Sequence, residues 1–205
     1  MGNLSSARIY GGIGALLMLI GGFTPAVGAV IPIIPIIGLI LVLIAIKYIA
    51  DETKDHSIFQ NYLWYFIICV IATAVTIGIM TASFGAAGGF SLLSMIQTQG
   101  GQVTNSTAVM NLLKNMVGGC LVALVIGWIL MIVGTLFLRK SFDGIAEHTN
   151  VKLFATTGLL FFIGAITLIV LVGAFILLIA VILEIVAFFS LPESLPKAAE
   201  PFTED

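Results

Sequence analysis

Charge is unusually sparse in this chain. Of its 205 residues, 8 are Lys or Arg and 10 are Asp or Glu, a charged share of 9%. Soluble domains carry about 25%, so that deficit excludes a water-soluble fold. A net charge of −2 with no basic stripe excludes nucleic-acid recognition through the phosphate backbone. Cysteine and histidine are scarce too, with two of each: Cys69, Cys120, His56 and His148. No Cys-x-x-Cys or His-x-x-x-His spacing occurs, and there is no P-loop, dinucleotide fingerprint or Ser-His-Asp set. The chain is accordingly expected not to be an enzyme and to need no cofactor or metal. Both cysteines fall inside apolar runs, where they act as small packing residues.

What remains is 60% hydrophobic and arranged in long continuous runs. Backbone polar groups in lipid must be satisfied internally, which leaves helices or a closed barrel. The runs do not alternate as barrel strands would, so the expected class is an all-α polytopic integral membrane protein. A helix crosses the hydrocarbon core with about 20 residues. Residues 153–192 contain a single charge, Glu184, and at about 40 residues are too long for one crossing and right for two, with a tight turn at 170–173. Residues 9–46 have the same length and divide at Thr24-Pro25. Six spans follow, at about 9–23, 28–49, 57–82, 112–138, 153–170 and 173–191, paired as three hairpins. Residues 83–111 form an outer loop, with a short surface helix near 90–96, and 193–205 a mobile tail. Pro32 and Pro35 remove two backbone donors early in the second span, so a kink or a helix start is expected there. A re-entrant hairpin competes with two full crossings over 9–49.

The basic residues test the count. With six crossings and an inside N-terminus, Arg8, Lys47, Lys54, Arg139, Lys140, Lys152 and Lys197 all face the cytoplasm, and Lys114 alone lies outside. Four crossings would split them. Both termini are therefore expected in the cytoplasm, with the first helix retained rather than cleaved as a signal peptide. A myristoylation pattern at Met1–Ser6 carries little weight beside several spans. Residues 47–56 and 139–152 read as charged loops, with Ser57 capping the third span. Asn105-Ser106-Thr107, on the outer loop, is a candidate glycosylation sequon. Residues 8–17 and 152–161 echo each other weakly, as would a parallel repeat.

The charged segments also carry a resemblance. Residues 46–55 (IKYIADETKD), 58–63 (IFQNYL), 147–149 (EHT) with 151–154 (VKLF), and 187–192 (AFFSLP) are similar to the archaeal membrane family catalogued as Domain of Unknown Function 996. The resemblance spans most of the chain apart from the outer loop and the tail. It implies an archaeal cell membrane and says nothing about activity.

Three features could carry chemistry. Glu184 is the only acid inside a span, about 10 Å from its inner end. An intramembrane carboxylate costs about 2.5–3.5 kcal/mol at mid-depth and often marks function, but Lys47 or Lys152 could pair with it. His56 and His148 each follow an acid and precede a hydroxyl just before a span. That pattern suits a cytoplasmic-face cluster or, more simply, a helix N-terminus. Small residues at helical spacing, such as Gly11 with Ala15, Gly14 with Gly21 and Gly127 with Gly134, let helices approach closely. Trp64 and Phe142 read as interface anchors or core. The expected role is a structural or accessory interaction module in the bilayer, as a homo-oligomer or with a membrane-protein partner. The alternative is a small ion or solute channel or carrier with Glu184 in its path.

Overall fold

The computed structural model describes residues 3–23, 33–86, 88–90 and 106–195. Among them are six long helices: α1 (Asn3–Phe23), α2 (Ile33–Thr53), α3 (His56–Ala86), α4 (Ser106–Thr149), α5 (Leu153–Thr167) and α6 (Val172–Phe189). Each is long and apolar enough to cross a membrane, α5 with the 3₁₀ turn Leu168–Val170 that follows it. No strand occurs among the described residues. The chain divides into two compact units, one of Met1–Ile67 with Ile132–Asp205 and one of Ile68–Met131.

In the first unit glycine sets the helix spacing. A Cβ on Gly14 would lie 2.7 Å from the Gly38 carbonyl oxygen, and one on Gly38 would lie 2.7 Å from the Gly14 oxygen. Gly21 meets Pro35 in the same way, so α1 and α2 run antiparallel and nearly backbone to backbone. Lipid offers apolar side chains no incentive to desert it, so such close van der Waals packing is what holds helices together there. Gly11 lies against the Phe188 ring and Gly12 against Phe189, which brings α6 to the other side of α1. Phe188 packs edge-on to Phe154 at 5.1 Å between centroids, and Phe154 edge-on to Phe142 at 5.5 Å. Such pairs add about 0.5–1.5 kcal/mol each beyond the area they bury. All three rings are fully buried, joining α4, α5 and α6.

The turn between α5 and α6 falls within the expected 170–173. Leu171, not Gly173, takes the left-handed conformation, with φ 62°. Gly173 is needed for closeness instead, since its missing side chain admits the backbone of Gly164 and Leu168. Lys54 and Asn150 are also left-handed and follow the last residues of α2 and α4, the usual exit from a helix.

Several expectations are corrected. Residues 47–53 and 139–149 are helical, not loop. Leu138, Phe142, Ile145 and Thr149 are all buried, and that three- and four-residue spacing gives α4 an inward face beyond its apolar run. Ser57 does not cap α3. The cap is Asp55, whose Oδ1 accepts the Ser57 N–H at 2.9 Å. Thr149 does not open a helix but closes α4, its hydroxyl donating to the Ile145 carbonyl at 2.7 Å. Pro35 sits in the first turn of α2, where its missing N–H removes no helical bond. Pro32, Asn105, most of the outer loop and residues 196–205 lie outside the described residues.

In the second unit α3 and α4 are antiparallel, with Gly119 against Ser83 and Gly127 against Thr76. A groove of about 360 Å³ opens between them, lined by Cys69, Thr73, Thr76 and Gly127 among others. Cys69 and Cys120 both belong to this unit and neither is in a disulfide.

Candidate functional site

The first unit gathers its charge at one end. Tyr10 stacks on Tyr48 at 6.0 Å, which sets Arg8 and Lys47 at similar heights on α1 and α2. The start of α3 docks on the last turns of α4: Ser141 donates its hydroxyl to the Ile58 carbonyl at 2.8 Å, and Gly144 lies against the Ile58 side chain. Asp55 reaches the same place, its Oδ2 4.0 Å from His148 Nδ1. That nitrogen lies 2.9 Å from the Gly144 carbonyl, which would accept a proton on Nδ1, while Asp55 is near enough only for charge attraction. Its hydrogen bond with the Ser57 side chain chiefly holds the Asp55 carboxyl below its ordinary value of 3.8. Burial opposes it as the next-largest effect, and the Ser57 backbone N–H and the nearby His148 and His56 add smaller lowering effects. Both histidines thus sit beside one acid, but no group of three His, Cys, Asp or Glu among the described residues could hold a metal.

Glu184 is only 3% exposed and shares the inner face of α6 with Ala180, Ala187 and Phe188. The ion pairs among the described residues are Arg139–Asp143 at 3.7 Å and His148–Asp55. Glu184 belongs to neither, so the expected pairing with Lys47 or Lys152 is not made. Its height follows from its neighbours. The Phe154–Phe188 contact and the packing of Gly164 on Leu177 bring it level with Thr157 and Gly158 on α5. A Cβ on Gly158 would in turn lie 3.0 Å from Arg139 Cα. Glu184 therefore stands level with Arg139 and Lys140, with α5 between. On α1 the same height is Gly14 and Ala15, where nothing is charged. Thr157 is fully buried and donates its hydroxyl to the Leu153 carbonyl at 2.7 Å.

Two grooves border this region. One of about 570 Å³ runs between α1 and α6, lined by Met18, Leu19, Phe175, Leu178 and other apolar residues. The other, about 360 Å³, lies at the α4–α5 junction and includes Asp143, Glu147, Asn150 and Lys152. Glu184 lines neither.

Sequence reasoning found Glu184, His56 and His148 and read Phe142 as an anchor or core, but missed Ser141 and the ring chain that joins Phe142 to Phe154 and Phe188. Only the helical spacing of Leu138, Phe142, Ile145 and Thr149 could have revealed part of it. Trp64 and Phe142, read alike from the sequence, differ: Phe142 is core, whereas Trp64 is half exposed and lies 6.4 Å from the Phe137 ring.

Helix number, length and apolarity define the class, an all-helical protein whose six long helices, among the described residues, are each long and apolar enough to cross a membrane. Residues 34–182 match the model described as "Protein of unknown function (DUF996)". The chain is also 35% identical over 193 residues to Uncharacterized protein MJ1644 of Methanocaldococcus jannaschii, covering 94% of this chain and 96% of that one. The chain belongs to the DUF996 family. The family match ends two residues before Glu184 and leaves out α1. No solved structure matches the chain.

Proposed function

We propose that the chain is a multi-pass protein of the cell membrane, crossing six times in three hairpins with both termini cytoplasmic. In that setting it acts as a non-enzymatic interaction module, with the bilayer and a second membrane protein or another copy of itself as partners. The gathering of Arg8, Lys47, Lys54 and Lys152 at one end of the first unit supports this orientation. The observation that carries the module reading is the placement of Glu184. A carboxyl in a transport path should border a hydrated cavity near mid-depth. This one is buried, borders neither neighbouring groove and stands level with Arg139 and Lys140. That level is close to the headgroups, where an acid costs far less than at the centre.

Cross-linking in native membranes followed by purification tests the module reading. Discrete cross-linked species, with itself or with a defined neighbour, are expected. Recovery as a monomer with no neighbour would refute it. The transport alternative retains one feature in its favour, a buried acid inside a span. Flux in proteoliposomes that vanishes in Glu184→Gln would establish that reading in place of the first.

A further inference from the structure

One outward face of α4 has the makings of an amphiphile's berth. Lys140, Leu136 and Val133 recur at four and three residues and are all exposed, so they form a single stripe with the cation at one end. Phe137 flanks the stripe, and the Lys140 Nζ lies 5.9 Å from its ring centroid, a cation–π distance. Trp64 of α3 lies 6.4 Å from the Phe137 ring and is itself 50% exposed. Arg139 is adjacent but shares its charge with Asp143 at 3.7 Å. Lys140 belongs to neither ion pair among the described residues, and its charge is left for something outside the chain.

We propose that this face holds one anionic phospholipid, its phosphate on Lys140 with Arg139 alongside and an acyl chain along Leu136 and Val133. The inference rests on the membrane reading above. Charge complementarity selects an anion, and the apolar stripe continuous with the cation selects a lipid over a soluble phosphate. Trp64 and Phe137 are the aromatic residues that favour the headgroup boundary. The indole N–H adds a donor at that boundary.

The test is native mass spectrometry of the full chain released from nanodiscs of phosphatidylcholine and phosphatidylglycerol. The wild type should retain phosphatidylglycerol preferentially. Lys140→Gln should lower that preference about fivefold, the worth of a single basic residue facing an anionic surface, while Lys140→Arg and Lys114→Gln keep it. Equal retention of both lipids by the wild type would overturn the proposal, as would an unchanged preference in Lys140→Gln. Displacement by inorganic phosphate would also overturn it, and would assign the site to a free anion. Alkaline extraction of native membranes separates this failure from the larger one. A chain that leaves the membrane in carbonate sinks the membrane reading, whatever Lys140 binds.

Discussion

Replacing Gly14 or Gly38 by Ala probes the close crossing of α1 and α2. At either position the new Cβ would lie 2.7 Å from a carbonyl oxygen and 2.9 Å from a backbone nitrogen of the facing helix. Backbone on both sides cannot rotate away as a side chain would, so α1 and α2 must part by roughly half an ångström to reach ordinary contact. Overpacking of this kind costs about 1–3 kcal/mol, and each single variant should lose that much. The double variant should lose less than the sum by about 1 kcal/mol or more, because helices already parted by one methyl admit the second. Reversible unfolding in mixed micelles, followed by the fluorescence of Trp64 and Trp128, gives the cycle. Two single losses below about 0.5 kcal/mol would refute the close crossing, and strict additivity would refute the claim that the two glycines serve one contact.

Ser141→Ala removes a buried hydroxyl bond to the Ile58 carbonyl, which keeps its helical partner, so it should cost about 0.5–1.5 kcal/mol in the same assay. Asp55→Ala removes the α3 cap and should cost about 1 kcal/mol at pH 7. Because the Asp55 carboxyl is held below 3.8 in the folded chain, its contribution is present above that value and lost as pH falls through the lower folded value. The gap between wild type and Asp55→Ala in thermal midpoint should therefore persist at pH 6 and close towards pH 3. A gap independent of pH would mean that the carboxylate is not the active form. Glu184→Leu should leave stability unchanged or raise it by up to about 2 kcal/mol, as expected for a buried acid without an ionic partner. A loss above 1 kcal/mol would reveal a partner.

Much of the architecture was legible because lipid thickness and apolar run length are local properties. Residues 153–192 had to fold back, and the turn lies where that count put it. The same criterion failed at residues 47–53 and 139–149. Hydropathy registers their charges, whereas what keeps them helical is a buried face of Ile49, Phe142 and Ile145 that exists only once the helices meet. The cap on α3 was misplaced by two residues for a related reason: Asp55 and Ser57 are both good caps, and only the exit of α2 at Lys54 decides between them. Glu184 stood out in the sequence as the lone acid of its span. Its standing level with Arg139, which changes its meaning, depends on Gly158 and Phe154 contacts between helices and could not be counted along one.

Six crossings dictate which residues share a side of the bilayer. Single cysteines at Lys54, Glu147 and Lys114, in a chain with Cys69 and Cys120 replaced, can be exposed to an impermeant maleimide in intact cells and again after lysis. Protection of Lys54→Cys and Glu147→Cys until lysis, with Lys114→Cys labelled from outside, is the predicted pattern. Labelling of Lys54→Cys and Glu147→Cys from opposite sides would contradict the six-crossing arrangement.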